Sequence, residues 1–159
     1  MAEVKIFEAV DKSGILIPLF NCKVHAGFES PASDYEEERI DLNAYVTKYP
    51  HATFYARVDG ECMTGSGIYP NDLLVVDRSL KVTNGDVVVG VMNGDFILRT
   101  YFKKGLDEYL MPDNPKFSAI KRTQETEFTI WGVVPHTVLN QRKRKNVRID
   151  RLQQLLCKL

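Results

Sequence analysis

Past residue 52 the chain is a succession of short apolar, β-branched runs, each closed by Gly, Asn, Asp or Pro. Runs at 53–58, 73–76, 86–92, 95–102, 108–111 and 127–134 carry the composition of strands. Asn93-Gly94 sits between two of them and predicts a tight hairpin, and Asn84-Gly85 marks a second turn. About six short strands with little helix between them predict a closed or folded-over antiparallel β architecture. Two stretches have helical spacing instead. Asp41 can cap a short helix that places Leu42, Tyr45, Val46 and Tyr49 on one face before Pro50 stops it. Near the end, Ile149, Leu152, Leu155, Leu156 and Leu159 form an apolar stripe that predicts a docking or dimer-bracing helix, against the plainer reading of a solvated end. The first 26 residues have only short apolar runs, with one strand expected at 15–17, and read as an arm. The expected division is an arm over 1–26, a domain over 27–136 and a tail over 137–159.

Charge changes this picture at one place. The formal net charge is zero, but from Val138 onward seven basic residues face a single acid, Asp150. Fourteen basic and twenty acidic residues remain in the body, a net of −6. A basic tail on an acidic body can seek nucleic acid, an acidic partner or another copy's body. The Q-R-K-R-K cluster lacks interleaved aromatics, so direct nucleic-acid contact is a weak reading. Cys22, Cys62 and Cys157 lie far apart with no C-x-x-C spacing. That argues against a disulfide framework or zinc site and points to a reducing, cytoplasmic setting. His25, His51 and His136 are isolated, so neither a metal nor a cofactor is expected. No apolar run is long enough to span a bilayer, and the N-terminus does not read as a signal peptide.

The candidate chemistry lies in residues 58–77, V-D-G-E-C-M-T-G-S-G-I-Y-P-N-D-L-L-V-V-D. Cys62 stands in a Gly-rich turn between two strands, a position from which a nucleophile can act. Gly60-Glu61-Cys62-Met63 followed by Asn71-Asp72-Leu73-Leu74 resembles the LexA/UmuD self-cleaving proteins, in which Gly-Asp-Ser-Met carries a nucleophilic serine. Pro18-Leu19-Phe20, Ala26-Gly27-Phe28, Arg39-Ile40-Asp41-Leu42-Asn43, Asn84-Gly85-Asp86, Met111-Pro112 and Trp131-Gly132-Val133-Val134 follow in the same order. The Arg-Ile-Asp-Leu-Asn run is nearer UmuD than LexA. The resemblance implies a mainly β LexA/UmuD carboxy-terminal-type fold, a homodimer, and a cut at the Ala26–Gly27 bond stimulated by a RecA filament on single-stranded DNA. It further implies service to a Y-family translesion polymerase within the SOS response. The repressors of the family carry an N-terminal DNA-binding domain, and 26 residues ahead of Ala26-Gly27 are too few for one.

The resemblance puts the nucleophile at Cys62 and the general base, normally lysine, at Arg99. A desolvated lysine can be neutral and take a proton, whereas arginine, with a pKa above roughly 12, cannot. A thiol beside a guanidinium is expected to ionise more easily and attack unaided. Expelling the amine still needs an acid, which Arg99 does not provide. Lys103 and Lys104 are about 13 Å or more along the strand, and only His25 would flank the cut bond. Self-cleavage is therefore expected to be absent or very slow, with Cys62 a small inert replacement for serine. The sequence then describes a UmuD-like accessory or regulator in DNA-damage tolerance, partnered by a translesion polymerase, RecA or a UmuD-like paralogue. Two alternatives stand beside it: a slow thiol protease cutting Ala26-Gly27 through Cys62, and a nucleic-acid-binding regulator working through the tail. Ser66 also lies in a Gly-flanked loop, but no base is placed to serve it.

Overall fold

The structure, a computed structural model, describes residues 5–8, 14–20 and 37–158. Ten strands and two α-helices run in the order β1 (Lys5–Glu8), β2 (Leu16–Phe20), β3 (Glu37–Asp41), α1 (Leu42–Val46), β4 (Thr53–Arg57), β5 (Leu73–Asp77), β6 (Val87–Met92), β7 (Asp95–Lys104), β8 (Asp107–Met111), β9 (Ile120–Lys121), β10 (Thr129–Val138) and α2 (Lys145–Leu156). Eight strands form one sheet in the order β1-β4-β5-β10-β6-β7-β8-β9, and β2 and β3 form a separate pair. Every pairing is antiparallel. The mainly β architecture expected from the apolar runs is what the chain adopts.

Strand β10 joins the two halves of the large sheet. Its first half pairs with β6 and its second with β5, and its register shifts twice, around Trp131 and across Val134-Pro135. Proline has no N–H for a ladder, so the second shift falls where the sequence cannot pair. Gly132 lies at the inside of this bend, where an added Cβ would stand 2.6 Å from Val76 Cγ1. Period-two alternation then sends neighbours to opposite faces. Val89 and Leu98 join Ala56, Cys62, Met63 and Val76 in one core cluster, while Val88 and Ile97 join Tyr101, Leu110 and Phe128 in the other. Asn93 and Gly94 both have positive φ, 53° and 84°, the conformation that a two-residue hairpin demands.

Three expectations need correction. The described residues hold ten strands rather than the six expected past residue 52 and one in the arm, because β1 adds an outer strand to β4, β3 pairs with β2 and the two-residue β9 pairs with β8. The arm strand starts and ends later than expected, at Leu16–Phe20. Helix α1 stops at Val46, well before Pro50. Its Asp41 cap is real, accepting from the N–H of Asn43 at 2.9 Å. Thr47 then turns inward to meet Tyr55 Oη at 3.2 Å, and Leu42, Tyr45 and Tyr49 stay exposed. The expected tail helix is present as α2, with Ile149, Leu152, Leu155 and Leu156 exposed on this chain, and Leu159 lies outside the described residues. No helix among the described residues is long and apolar enough to cross a membrane.

Candidate active site around Cys62

Strand β4 ends at Arg57, and residues 58–72 leave the sheet as a closed loop before β5 begins. Its neck is a pair of backbone bonds, Val58 N–H to the Asp72 carbonyl at 3.0 Å and Asn71 N–H to the Val58 carbonyl at 2.8 Å. Apolar residues inside the loop turn it towards the core: Cys62 and Met63 are each 1 % exposed and Ile68 is 6 % exposed. The segment after β8 staples the outer side. Asp113 donates its N–H to the Cys62 carbonyl at 2.9 Å and accepts from Gly65 N–H at 2.7 Å. Asn114 donates its side-chain amide to the Glu61 carbonyl at 2.7 Å. A Cβ on Gly65 would fall 2.4 Å from the Asp113 carboxylate, so the turn requires glycine there. Ser66 is held by that carboxylate, its Oγ donating to Asp113 Oδ2 at 2.7 Å.

Cys62 and Arg99, 37 positions apart in sequence, meet at one atom. The Cys62 thiol donates to the Leu98 carbonyl at 3.1 Å, and Arg99 Nη1 donates to the same oxygen at 2.8 Å. A carbonyl has two lone pairs, so both bonds can form together. Arg99 is half-buried, its guanidinium carbon 5.7 Å from the centre of the Phe117 ring. Its Nε is buried and has no acceptor among the described residues. The thiol is therefore flanked by a second donor, with no acceptor of its own except a backbone oxygen.

Electrostatics corrects the expectation of an easily ionised thiol. Burial pushes Cys62 above its ordinary value of 9.0, and the neighbouring Arg99 charge opposes this without overturning it. The thiol is protonated at neutral pH. Lys103 and Lys104 lie at the far end of β7, opposite Glu108 and Asp107. His51 is exposed in the short 3-10 turn Pro50–Ala52, and the ring of His136 lies 5.8 Å from that of Tyr45. His25, Ala26 and Gly27 fall outside the described residues. Among the described residues no group of His, Cys, Asp and Glu has the makings of a metal site.

The Peptidase S24-like family profile matches residues 18–135. The chain belongs to that family. Protein ImpA of Salmonella typhimurium is 37 % identical over 129 residues, covering 79 % of this chain and 86 % of ImpA. Protein MucA of Escherichia coli is 35 % identical over 86 % of this chain and 94 % of its own length. Protein SamA of Salmonella typhimurium strain LT2 is 41 % identical over 74 % and 81 %. With these relatives, the chain is a UmuD-like member of the LexA/UmuD group. The family match ends at 135, so α2 and the basic segment before it lie beyond it.

Two features of this family member were not visible in its sequence. One is the shared Leu98 carbonyl, a backbone atom that no side-chain pattern reports. The other joins the tail to the Cys62 loop. Arg144 donates from Nη1 to the Gly67 carbonyl at 2.9 Å, pairs through Nη2 with Asp72 Oδ2, and lies 4.5 Å from the centre of the Tyr69 ring. Asp72 is 5 % exposed and also accepts from Tyr69 N–H at 2.9 Å.

Proposed function

We propose that this protein is a UmuD-like accessory or regulatory factor of the SOS response and translesion synthesis in which self-cleavage is lost or very slow. Cys62 takes the place of the nucleophilic serine and Arg99 that of the general base. The observation that carries this reading is the pair of donors on the Leu98 carbonyl: a protonated thiol beside a permanently charged guanidinium. Attack on a peptide bond needs the nucleophile's proton removed and later returned to the leaving nitrogen. Arg99 can do neither at neutral pH, since it has no lone pair to accept with and holds its own protons. The family scaffold is then kept for binding: a homodimer, or a mixed dimer with a cleavable paralogue, that engages a Y-family polymerase or the RecA filament in the cytoplasm. An uncut subunit in a mixed dimer would restrain the cleavable one.

Mass spectrometry after incubation with and without a RecA–single-stranded DNA filament tests the loss of cleavage. The protein is expected to stay intact under conditions in which a Cys62→Ser, Arg99→Lys double variant is cut between Ala26 and Gly27. Fragments 1–26 and 27–159 from the unaltered protein, formed as fast as from the double variant, would overturn it. Failure to associate with any Y-family polymerase or UmuD-like paralogue would remove the accessory role.

A further inference from the structure

The basic segment that precedes α2 is a built surface rather than a loose string of charge. Arg144 fixes its end to the Cys62 loop through Asp72 and Gly67. Asn140 Oδ1 accepts from the N–H groups of Arg142 at 3.0 Å and Lys143 at 3.2 Å, which folds the segment into a turn. Arg148 holds the Gln141 carbonyl at 2.6 Å from the first turn of α2. Between this segment and the ends of β4, β5 and β10 lies an open groove of about 530 Å³.

The lining of the groove has one sign of charge. Arg57, Arg142 and Lys143 border it, and none has a carboxylate partner among the described residues, where the ion pairs are Lys121–Asp107, Arg122–Glu108 and Arg144–Asp72. Arg57 donates one N–H to the Asn71 carbonyl at 3.1 Å, which orients its guanidinium and leaves other N–H groups available. Leu73, Val138 and Leu139 line the same groove. A cleft of like charge focuses its field and draws in anions. Apolar and cationic lining together favour a ligand that carries both carboxylates and aliphatic side chains. Aromatic platforms, on which single-stranded bases stack, do not line it.

We infer that this groove, half of it made by the C-terminal extension, is a docking site for an extended acidic peptide segment of a partner protein. The surface is separate from the Cys62–Arg99 pair and stands whether or not the chain cuts itself. Fluorescence anisotropy of the full chain with a labelled synthetic peptide of alternating glutamate and leucine residues tests it, against a labelled deoxythymidine oligonucleotide. The peptide should bind saturably and more weakly as salt rises. Combined substitution Arg57→Ala, Arg142→Ala, Lys143→Ala should weaken binding by about tenfold or more. Arg144→Ala should do the same while leaving those three cations in the chain. Lys103→Ala with Lys104→Ala, at the far end of β7, should change it little. Those three substituted cations are exposed, so an unchanged thermal melt will certify the fold of the triple variant. Absence of saturable peptide binding, binding indifferent to the triple substitution, or tighter binding of the oligonucleotide through the same residues would each overturn the inference.

Discussion

Replacing Arg144 by alanine removes a side chain whose hydrogen bond and ion pair tie the tail to the Cys62 loop, and leaves a carboxylate behind in a dry place. Asp72 is 5 % exposed and, among the described residues, keeps a single donor, the Tyr69 N–H at 2.9 Å. Removing one partner of a buried ion pair costs about 3–5 kcal/mol, because the remaining charge is desolvated and unpaired. Two features pull the figure down: the surviving Tyr69 bond, and water that can enter where the guanidinium stood. Two raise it again: the Gly67 carbonyl loses its donor, and the cation over Tyr69 is worth about 0.5–1 kcal/mol. A net loss of about 3 kcal/mol follows, a fall in Tm of roughly 6–12 °C for a domain of this size. The single tryptophan, Trp131, packed 5.0 Å from Phe54 and 5.4 Å from Phe96, reports unfolding by its fluorescence. Truncation before residue 144 should match Arg144→Ala, whereas truncation after it should cost little, because the apolar residues of α2 are exposed. Asp72→Asn should recover part of the loss in the Arg144→Ala background, giving a coupling of about 1–2 kcal/mol. A loss below about 1 kcal/mol, or strictly additive effects, would refute the buried pair.

Alkylation followed by peptide mapping should separate Cys62 from Cys157, the two cysteines among the described residues: exposed Cys157 reacts at once with a maleimide, while Cys62 reacts only as the protein opens, and equal rates would contradict its burial. Cys62 also sets a pH dependence. Its folded pKa lies above the unfolded value near 9.0, so its contribution is complete below that pH and is lost as the pH rises through the folded value. Urea unfolding at pH 8 and pH 10 should show a drop that is smaller in Cys62→Ala; Tyr101, also pushed up by burial, acts in a higher window. Gly132→Ala should destabilise the fold by about 2 kcal/mol or more, since its Cβ would meet Val76 at 2.6 Å and the Asp77 carbonyl at 3.3 Å; an unchanged urea midpoint would show that β10 can shift.

The strands that sequence makes legible are those whose signals are local. Asn93-Gly94 specifies its hairpin by backbone conformation alone, and the valines of 87–91 are β-formers whichever neighbour they pair with. What sequence conceals depends on distant partners. Glu37 and Glu38 carry no strand signal of their own and form a strand opposite β2, and β1 is a strand by virtue of the free edge of β4. The helix at Leu42 ends early because Thr47 finds Tyr55, eight residues on, and no helical spacing encodes that contact. The site divides the same way. The motif places Cys62 in its turn and Arg99 on its strand, and the chain brings them to a common oxygen. Whether the thiol ionises is decided by a contest between burial and the Arg99 charge, and only the folded surroundings supply the burial.

That contest fixes the order in which activity should return on the proposed reading. A hydroxyl or thiol with a lysine makes a donor–acceptor pair, because a desolvated amine can lose its proton. Cys62 with Arg99 is a donor–donor pair, so both turn to the Leu98 carbonyl and neither activates the other. Arg99→Lys alone restores an acceptor next to a nucleophile that is intrinsically stronger than serine, and a neutral amine that can carry the proton to the leaving nitrogen. Cys62→Ser alone keeps two donors and exchanges a thiol for a far less acidic hydroxyl. Slow scission at Ala26–Gly27 at alkaline pH is therefore expected of the Arg99→Lys variant, followed by gel and mass spectrometry, and none of Cys62→Ser. Scission in Cys62→Ser but not in Arg99→Lys would mean that the guanidinium is not the block. The defect would then lie in how the Ala26–Gly27 bond reaches the loop.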